Sequence, residues 1–443
     1  MSKMKFPTVS RFKFYANSGG ILKNPLPFHH DNFEKLGDSF RLNIGFGKSV
    51  IFSRDAGFAQ YALQKNQKNY KKSAIQTVDL AKYVGKGLLT SEGEHWRKQR
   101  KLIQPAFHKK QLMHLLDTIQ AAIITELDKI ETGSAMDIFP IFNNLAFQTV
   151  VKSLFSSAIG EKEISRLQYI TEAAQKMLVK ELRQPYLGWW FHLSGILKHH
   201  VGLTLESREI LKVLVADRKN KGVREGDLLD MLLDARYEDG NAMDDEQLID
   251  EILILFTAGH ETTSNALTFT AELLARDPAS QDKIADEVEM ATHNSNGLYE
   301  FIQACPFTKN VIEEALRLYP PAYFIDRVNL EDDEFNGMSI PKNSNLLFSM
   351  YEIHRHPDLW DEPERFMPQR FTEENAQKHS AHYFPFGAGP RMCIGNNFAM
   401  YEMILAITAL IKKYRISART EKIAIQPLIT LKPKDAFLEF KIR

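Results

Sequence analysis

A glycine-rich segment near the C-terminus holds the residues best suited to chemistry. It reads FPFGAGPRMCIGNNFAM over residues 384–400 and places Cys393 just before an apolar helix. That position stabilises a thiolate, because the helix dipole and the free N–H groups of the first turn favour negative charge. Phe386 is placed to shield the sulfur, and Arg391 offers a cation to an acidic partner. These features predict a functional thiolate and not a cysteine that only fills a core.

The second candidate site interrupts a long apolar helix. Two acidic residues at 244–245 begin a helix predicted over residues 245–276, about 48 Å long, and its middle, ILILFTAG, is apolar nearly all round. AGHETTS, residues 258–264, continues this stretch. Gly259 weakens the helix by about 1 kcal/mol relative to alanine, and burying an unpaired Glu261 is also unfavourable. Such an interruption is typical of a functional site. The alternative is that Glu261 pairs with a neighbouring base or reaches an exposed edge.

The elements around these segments predict a mainly α fold with small β-sheets. Most of residues 91–320 has a helical pattern, and three hairpins are predicted outside it. They span residues 40–52 around Gly45 and Gly47, residues 335–349 around Pro341 and Lys342, and residues 429–442 with a turn at Pro433–Asp435. No repeat or low-complexity linker is visible. Residues 1–443 are therefore predicted to form one domain, with a flexible N-terminus over about residues 1–20.

Composition excludes several classes of protein. Lys plus Arg and Asp plus Glu both number 56, so there is no basic excess to suggest nucleic-acid binding, and two cysteines exclude a disulfide framework. The absence of a long apolar run predicts no transmembrane helix. The N-terminal residues lack a signal-peptide pattern, so we expect a soluble, cytoplasmic protein. The alternative is a loose peripheral membrane contact through Phe6, Phe12, Phe14 and Tyr15.

Five ordered motifs make the chain similar to the cytochrome P450 family from about residue 20 to residue 443. The haem-binding pattern FxxGxRxCxG is matched by Phe386, Gly389, Arg391, Cys393 and Gly395. The long-helix pattern A/G-G-x-D/E-T-T/S is matched by Ala258, Gly259, Glu261, Thr262 and Thr263. The ExxR pattern is Glu314 and Arg317, the PERF pattern is Pro363 to Phe366, and the WxxxR pattern is Trp96 and Arg100.

The resemblance implies the cytochrome P450 fold, a triangular haem-binding domain with a long central helix. It implies haem b as the cofactor, with Cys393 as the thiolate ligand that favours O–O cleavage. The long helix would cross the opposite face of the haem, where Ala258 and Gly259 lie and Gly259 would open a notch for dioxygen and water. Glu261 and Thr262 resemble the acid–alcohol pair of the family, which delivers protons to the oxygen.

The same resemblance implies two further groups of residues. The residues expected to contact the haem or its propionates, for which arginine forks are well suited, are Trp96, Arg100, Arg327, Phe386, Arg391 and Gly395. Glu314 and Arg317 are spaced i, i+3 on one helix and can pair directly. Arg365, from the PERF motif, is expected to complete a structural three-residue salt bridge with them.

The resemblance places the substrate pocket in regions that are apolar and aromatic in this chain. The candidate lining residues are Ile75, Val78, Ala322, Tyr323, Phe324, Leu428 and Ile429. No obvious buried charge is available to pair with a charged ligand, so a lipophilic substrate is expected: a fatty acid, terpenoid, carotenoid or steroid. The segment ALRLYPPA also resembles the fatty-acid and carotenoid hydroxylating branches of the family.

These observations predict a monooxygenase that uses O₂ and receives its electrons from a separate protein. The chain is too short and too poor in cysteine to include a fused redox module, so the donor is expected to be a ferredoxin with its reductase, or a flavodoxin. RKQRK (97–101), with His108, Lys109 and Lys110, would dock an acidic donor or form an ordinary solvated face. The alternatives are a peroxide-using or isomerising haem-thiolate enzyme, and a non-catalytic haem sensor or carrier.

Overall fold

The computed structural model describes residues 4–45, 48–156 and 158–443. Its helices dominate the middle of the chain, as the sequence predicted. In chain order they are α1 Arg11–Ala16, α2 Ser18–Lys23, α3 Leu26–Leu36, α4 Ala56–Gln60, α5 Ala81–Val84, α6 Gly93–Ile103, α7 Lys109–Met113, α8 Leu116–Leu127, α9 Phe139–Phe155, α10 Glu161–Arg183, α11 Gly188–Leu193, α12 Ile196–Lys221, α13 Leu228–Asp234, α14 Asp245–Leu274, α15 Pro278–Asn294, α16 Leu298–Gln303, α17 Pro306–Leu318, α18 Met350–Ile353, α19 Glu373–His379 and α20 Asn396–Lys413.

Short strands near both ends of the chain form small sheets. They are β1 Thr8–Val9, β2 Ser39–Gly45, β3 Lys48–Ser53, β4 Tyr70–Lys71, β5 Ala135–Asp137, β6 Phe324–Asn329, β7 Asp333–Phe335, β8 Met338–Ile340, β9 Asn345–Ser349, β10 Tyr414–Ala418, β11 Ala424–Pro427, β12 Leu431–Lys434 and β13 Phe437–Ile442. The largest sheet has the order β1-β2-β3-β9-β6-β4, and smaller sheets have the orders β10-β13-β5, β11-β12 and β7-β8.

The first predicted hairpin is confirmed. Strands β2 and β3 pair antiparallel, with Leu42 opposite Val50 and Phe40 opposite Phe52. Gly45 adopts a positive φ of 90°, which glycine tolerates without a Cβ clash. Gly47, also assigned to this turn, lies outside the described residues.

The other two predicted hairpins are wrong in their pairing. Strands β7 and β8 form a hairpin that turns at Asn336–Gly337, where both residues have positive φ, and β9 instead joins β3 and β6. Asn-Gly is the preferred two-residue hairpin turn and so prevails over Pro341–Lys342. Near the C-terminus, β12 pairs with β11, and β13 pairs with β10 and β5. The chain therefore changes sheets near residue 435, and partners distant in sequence decide the pairing.

The N-terminal segment is more regular than predicted. The sequence suggested a flexible terminus over about residues 1–20, of which residues 1–3 lie outside the described ranges. In the described part, β1 pairs in parallel with β2, and Phe6 and Val9 are buried. Of the four aromatic residues considered for membrane contact, Phe6 is buried and Phe14 is half-buried, whereas Phe12 and Tyr15 are exposed.

The predicted long helix is α14, which has 30 residues. The side chain of Asp244 caps it by accepting the N–H of Gln247 at 2.8 Å, and Asp245 and Glu246 lie in its first turn, where the dipole favours acidic groups. The helix packs against α9, α17 and α20. Within the described ranges, no helix is long and apolar enough to cross a membrane.

A buried charged network connects α17 with the segments that follow it. Arg317 Nε lies 2.7 Å from Glu314 Oε2, and both side chains are fully buried. Arg317 Nη1 also donates to the carbonyl oxygens of His354 and Pro363, each at 2.7 Å. These bonds compensate the buried guanidinium, which would otherwise be strongly destabilising.

The third side chain of this network is Arg370, and the assignment of Arg365 is wrong. Arg370 Nε lies 3.3 Å from Glu314 Oε1, and its side chain is only 6% exposed. The Arg365 side chain is 65% exposed and pairs with Glu362, so only its carbonyl oxygen contacts Arg317. The chain carries two similar motifs, PERF at 363–366 and PQRF at 368–371. A short 3₁₀ turn over the second motif directs Arg370 towards α17, while the first lies in an exposed turn.

The same network reaches the start of the cysteine segment. His354 Nε2 accepts the backbone N–H of Phe384 at 2.9 Å, while its carbonyl oxygen accepts from Arg317. The Tyr383 hydroxyl donates to the carbonyl oxygen of Glu313 at 2.8 Å. Helix α17 therefore determines where the polypeptide enters the segment that contains Cys393.

We predict that Arg370→Ala lowers the free energy of unfolding by about 3 kcal/mol, since it removes one partner of a buried carboxylate. Arg365→Ala is the matched control and should leave the melting temperature unchanged, because that side chain is exposed. Thermal unfolding followed by circular dichroism checks both variants. Equal destabilisation by the two substitutions would contradict the assignment of Arg370 to the network.

Candidate functional site

Two glycines with left-handed backbone shape the segment before Cys393. Gly387 and Gly389 have φ values of 74° and 70°. A Cβ at position 389 would lie 2.0 Å from the carbonyl oxygen of Leu63, so only glycine allows the segment to pack against that turn. A 3₁₀ turn spans Gly389–Arg391, and α20 begins immediately after Gly395. The sulfur is thus presented between a tight turn and a helix N-terminus.

The surroundings of the Cys393 thiol disfavour its deprotonation. Its surface is exposed, yet desolvation by the surrounding protein raises the pKa of Cys393. A hydrogen bond from the Gly395 amide and the positive charge of Arg100 oppose this effect without overcoming it. The thiolate at Cys393 therefore stays a prediction, and a bound metal cation would favour the deprotonated sulfur.

Phe386 supports the cysteine mainly through its backbone. Its carbonyl oxygen accepts the Cys393 N–H at 2.9 Å. Its ring is half-buried and packs against the main core cluster. This contact fixes the spacing between the two ends of the segment.

The middle of α14 is more exposed than the turns on either side of it. Ala258 is exposed, and Gly259, Glu261 and Thr262 are half-buried, although the residues on both sides are largely buried. The notch predicted at Gly259 is not where its missing side chain would point. A Cβ there would lie 3.0 Å from Val150 Cγ2, so glycine allows α9 to approach α14 closely.

Polar side chains on this part of α14 are held by specific hydrogen bonds. The Thr262 hydroxyl donates to the carbonyl oxygen of Ala258 at 2.7 Å. Thr430 Oγ1 donates to Glu261 Oε1 at 2.9 Å and accepts from Asn265 Nδ2 at 3.0 Å. Burial raises the pKa of Glu261, while Thr430 and Lys432 oppose the increase. The carboxyl group is therefore suited to carry a proton and to release it.

Two cations lie over the buried ring of Trp96, and a third, Arg327, interacts electrostatically with both of them. The guanidinium of Arg391 and the ammonium of Lys72 lie 5.0 Å and 5.9 Å from the ring centroid. Burial lowers the pKa of Arg327 to about 10, with Asp326 and Glu92 opposing and Arg391 adding to the effect. Burial also lowers the pKa of Lys72 to about 7, with Glu92 opposing and Arg391 and Arg327 adding to the effect. An anionic group bound beside this cluster would reduce the repulsion among its positive charges.

The hydrogen bonds of these cations leave room for such a group. Arg391 pairs with Glu92 at 2.7 Å, but its Nε is buried without a hydrogen-bond partner in the described residues. Lys72 Nζ donates to two backbone carbonyl oxygens, of Leu88 and Ser91, and Arg327 Nη1 donates to the carbonyl oxygen of Asp326. Cations with such partners suit the carboxylates of a propionate-bearing cofactor.

Arg100 is placed apart from this cluster. Its Nη1 donates to the carbonyl oxygen of Met392 at 2.8 Å, and its Nε donates to Gln104. Its charge also lowers the pKa of Cys393. Arg100 therefore supports the residue before the cysteine, and its contact with a propionate stays a prediction.

The described residues fit haem b. A thiol that needs a cation lies two residues from Arg391, which belongs to a cluster of cations that needs anions. Haem b combines an iron cation with two carboxylates, so it satisfies both requirements. Cys393 would ligate the iron, and Trp96, Arg327 and Arg391 would hold the propionates.

The structure separates the candidate pocket residues into two groups. Ile75, Val78, Ala322 and Ile429 are exposed, and Leu428 is half-buried. Tyr323 instead lies in a core cluster with Leu26, Phe269 and Leu431, and its hydroxyl donates to the carbonyl oxygen of Leu428 at 2.6 Å. Phe324 packs partly buried against the sheet core, with His29 and Phe52 as ring neighbours. Tyr323 and Phe324 therefore pack within core clusters, and their contact with a substrate stays a prediction.

Three residues of this arrangement were not predicted from the sequence. Arg370 carried a readable signal, because its PQRF segment resembles PERF. Lys72 had only a neighbouring lysine to distinguish it, and its burial depends on contacts with residues 88–92. Thr430 meets Glu261 across 169 positions of sequence. Nothing local indicates that contact.

Comparisons with known proteins agree with this geometry. The family model described as cytochrome P450 matches residues 7–440. Cytochrome P450 CYP72A613 of Trigonella foenum-graecum is 30% identical, over 90% of this chain and 80% of its own. Cyclooctat-9-en-7-ol 5-monooxygenase of Streptomyces melanosporofaciens is 29% identical, over 75% of this chain and 73% of its own. Pentalenene oxygenase of Streptomyces avermitilis is 25% identical, over 90% of this chain and 89% of its own.

A solved structure of a cytochrome P450DA haem domain shares the fold. It superposes with a TM-score of 0.87 and covers 100% of this chain and 98% of that one, at 22% sequence identity. The mainly α fold with small β-sheets and a long central helix is thereby confirmed.

We predict that Lys72→Met increases the rate of haem loss roughly tenfold, because a charge-assisted hydrogen bond to a propionate contributes about 1.5–3 kcal/mol. Lys71→Met is the control, since Lys71 is the exposed neighbour on β4. Transfer of haem to an excess of apomyoglobin measures the rate. If the two variants lose haem equally fast, Lys72 is not a propionate contact.

Proposed function

The chain belongs to the cytochrome P450 family, and we propose that this haem-thiolate enzyme inserts one oxygen atom into a lipophilic, terpenoid-like substrate. Its electrons would come from a separate acidic protein. The observation that carries the proposal is the polar pair Glu261–Thr262, held on the half-buried face of an otherwise apolar helix. A monooxygenase needs such a proton source beside the oxygen, whereas a haem carrier does not.

Each group of residues has a defined task in this proposal. Bound haem b supplies the activation of dioxygen and the transfer of one oxygen atom to the substrate. Cys393 would ligate the iron, and the hydrogen bond from Gly395 would moderate the basicity of its sulfur. Trp96, Arg327, Arg391 and Lys72 would orient the cofactor through its propionates. Glu314, Arg317 and Arg370 hold the cysteine segment at a fixed position and take no part in the chemistry.

Proton delivery would involve Glu261 and Thr262. Glu261 is oriented by the hydroxyl of Thr430, and this hydroxyl points at the carboxylate because Asn265 occupies its acceptor side. The Thr262 hydroxyl is anchored on the carbonyl oxygen of Ala258, one turn earlier. A proton would pass from Glu261 to the oxygen being reduced, with Thr262 positioning the acceptor. Without this proton transfer, the electrons supplied to the oxygen would be lost in the release of hydrogen peroxide.

The substrate class follows from the residues available to contact it. Ile75, Val78, Ala322, Leu428 and Ile429 are apolar, so they favour a hydrophobic ligand by removing its surface from water. Two of the bacterial relatives are named for oxygenating cyclooctat-9-en-7-ol and pentalenene. Terpenoids are therefore the first of the four lipophilic classes to test, before fatty acids, carotenoids and steroids.

The electron donor would dock beside the cysteine segment. Arg100 on α6 contacts Met392, and Phe107 lies against Gly395, so α6 and the turn after it cover this side of Cys393. The exposed cations on this surface are Arg97, Lys98, Lys101, Lys109 and Lys110, and the exposed His108 lies among them in sequence. They suit an acidic ferredoxin or flavodoxin, because complementary charge steers the encounter.

A peroxide-using or isomerising enzyme is the second candidate. Neither of those reactions requires the proton relay, so the hydrogen bond between Thr430 and Glu261 favours the monooxygenase. A haem sensor would have no use for the pair at all. The monooxygenase consumes O₂ and electrons, whereas the second candidate consumes a peroxide or only rearranges it. The following test separates the two.

We predict that terpenoids convert the ferric enzyme from low spin to high spin by displacing water from the iron. An optical titration with terpenoids, fatty acids, carotenoids and steroids measures this change. Compounds that shift the spectrum should then give product only when O₂ and an electron donor are supplied. The absence of any spectral change across the four classes would contradict the lipophilic assignment. Equal turnover with hydrogen peroxide alone would favour the second candidate.

We predict that Thr430→Val raises the pKa of Glu261, because the hydroxyl that stabilises its ionised form is removed. The infrared band of the protonated carboxyl should then persist to higher pH, and Glu261→Gln identifies that band. Glu261 would also release its proton less readily, so more peroxide should form per electron consumed. Thr430→Ser keeps the hydroxyl and should resemble the wild type. An unchanged band and unchanged coupling in Thr430→Val would refute the role of Thr430.

We predict that the double variant Lys98→Glu/Lys110→Glu is reduced about tenfold more slowly by an acidic ferredoxin at low ionic strength. The difference should shrink as salt screens the charges. Lys412→Glu, at the opposite end of α20, is the control. Stopped-flow reduction under carbon monoxide gives the rates. Equal rates for the double variant and the control would exclude this docking surface.

A further inference from the structure

A chain of polar side chains crosses the interior beside the proposed proton donor. We call it the polar chain, and its members are Glu172 on α10, Asn143 on α9 and His260 on α14. Asn143 Nδ2 donates to Glu172 Oε1 at 2.8 Å, and Asn143 Oδ1 lies 2.8 Å from His260 Nε2. His260 is only 1% exposed and directly precedes Glu261 in the helix. None of the three members of the chain has a task in the proposed function.

The protonation of each member follows from that of its neighbour. Desolvation opposes the ionisation of Glu172, but hydrogen bonds from Asn143 and Gln168 help to bring its pKa below the usual value, so it is a carboxylate that only accepts. Asn143 therefore presents its NH₂ group to Glu172 and its oxygen to His260, whose Nε2 must carry a proton. Burial lowers the pKa of His260 to about 4, with Glu172 opposing and Lys432 adding to the effect. The imidazole is therefore neutral and donates through Nε2 alone.

The polar chain is less favourable for folding than apolar side chains of the same size would be. His260 Nδ1, which is left without a proton, is buried and has no hydrogen-bond partner among the described residues. The ring of Phe147 meets the imidazole edge to face, with the centroids 5.2 Å apart, and would pack equally well on an apolar group. Polar groups that remain buried despite this desolvation penalty are typical of functional sites.

The turn of α14 that presents the proton donor is weak by its composition. Gly259 lowers the stability of the helix. The Thr257 and Thr262 hydroxyls each donate to the carbonyl oxygen four residues earlier, a contact that tends to bend a helix. The direction in which Glu261 points from this turn therefore depends on contacts with neighbouring elements.

Three neighbouring elements hold this turn by hydrogen bonds. From the turn between β11 and β12, Thr430 donates to Glu261 Oε1 at 2.9 Å. From α10, Gln175 Nε2 donates to the carbonyl oxygen of Thr257 at 3.4 Å. The third contact is the polar chain, which holds His260 against α9. Because successive side chains of a helix are about 100° apart, fixing His260 sets the rotation of the turn and hence the direction of Glu261.

We propose that His260 is a positioning residue that holds α14 in the rotation that keeps Glu261 bonded to Thr430. It acts through its hydrogen bond to Asn143, and Glu172 fixes the orientation of that amide. The chain does not itself carry a proton, since the amide of Asn143 is neither an acid nor a base. The inference rests on the proposed role of Glu261 in proton delivery, but the geometry can be tested on the resting holoenzyme.

The test compares His260→Leu/Asn143→Leu with His260→Gln. The double variant replaces both partners by apolar side chains and should therefore keep the melting temperature of the wild type. We expect it to release Glu261 from Thr430, which raises the pKa of Glu261 and lowers its acid dissociation constant about tenfold. The infrared band of the protonated carboxyl group, identified by Glu261→Gln, measures this change. His260→Gln keeps a donor near the position of Nε2 and should resemble the wild type.

The charges around Glu261 stay the same in this comparison. Desolvation raises its pKa most, and the charge of Glu172 on α10 raises it further. The hydroxyl of Thr430 and the charge of Lys432 on β12 oppose the increase. None of these residues is changed, and the neutral His260 is replaced by neutral side chains. A change in the pKa of Glu261 therefore reports the loss of its hydrogen bond and not a new charge.

Asn144→Leu is the matched control, because Asn144 is the neighbouring amide on α9 and accepts from Gln168 without contact to α14. It should leave the band unchanged. In turnover, the double leucine variant should also release more hydrogen peroxide per electron, with unchanged affinity for the substrate.

Three results would overturn the proposal. They are a band that titrates in the double leucine variant as in the wild type, the absence of any band that Glu261→Gln removes, and an equal shift in His260→Gln and the double leucine variant. A failure of the enzyme to insert oxygen would instead contradict the proposed function and would leave the infrared result intact.

Discussion

The position of one sulfur atom is the constraint on which the rest of the structure depends. Cys393 is held by backbone contacts with Phe386 and Gly395, and Arg100 fixes the carbonyl group before it. These contacts act on a segment that only glycine at 389 allows to fold against residue 63. The charged network around Glu314 and Arg317 is the anchor of that segment. A small shift in this network would move the sulfur relative to the iron that it would ligate.

The electrostatics of the interior describe a site that is complete only with its cofactor. Burial raises the pKa of Cys393 and lowers those of Lys72 and Arg327, so the protein alone disfavours the charged form of all three. A ligand with a central cation and peripheral carboxylates reverses each of these penalties. Its binding energy is then available to stabilise the fold, because a group that binds only the native state stabilises it.

Local sequence signals predicted the chemical groups of the site better than the contacts between them. Cys393, the long helix and the Glu314–Arg317 pair could be recognised because each depends on spacing within one short segment. Thr430 and Lys72 could not, since their roles depend on contacts made across the tertiary structure. Arg370 shows an intermediate case, in which two adjacent motifs of the same form competed and only burial distinguished them. Two of the three predicted hairpins failed, because an Asn-Gly turn decided the β7–β8 pairing and strands distant in sequence paired with β9 and β13.

The most direct test of this account is the absorption spectrum of the reduced enzyme with carbon monoxide. The wild type and Cys305→Ala, which alters the other, buried cysteine, should both show the red-shifted Soret band of a thiolate-ligated haem. Cys393→His should retain haem through the propionate contacts yet lose that band. If Cys393→His kept the thiolate-type spectrum, another residue would be the ligand and the central assignment would be wrong.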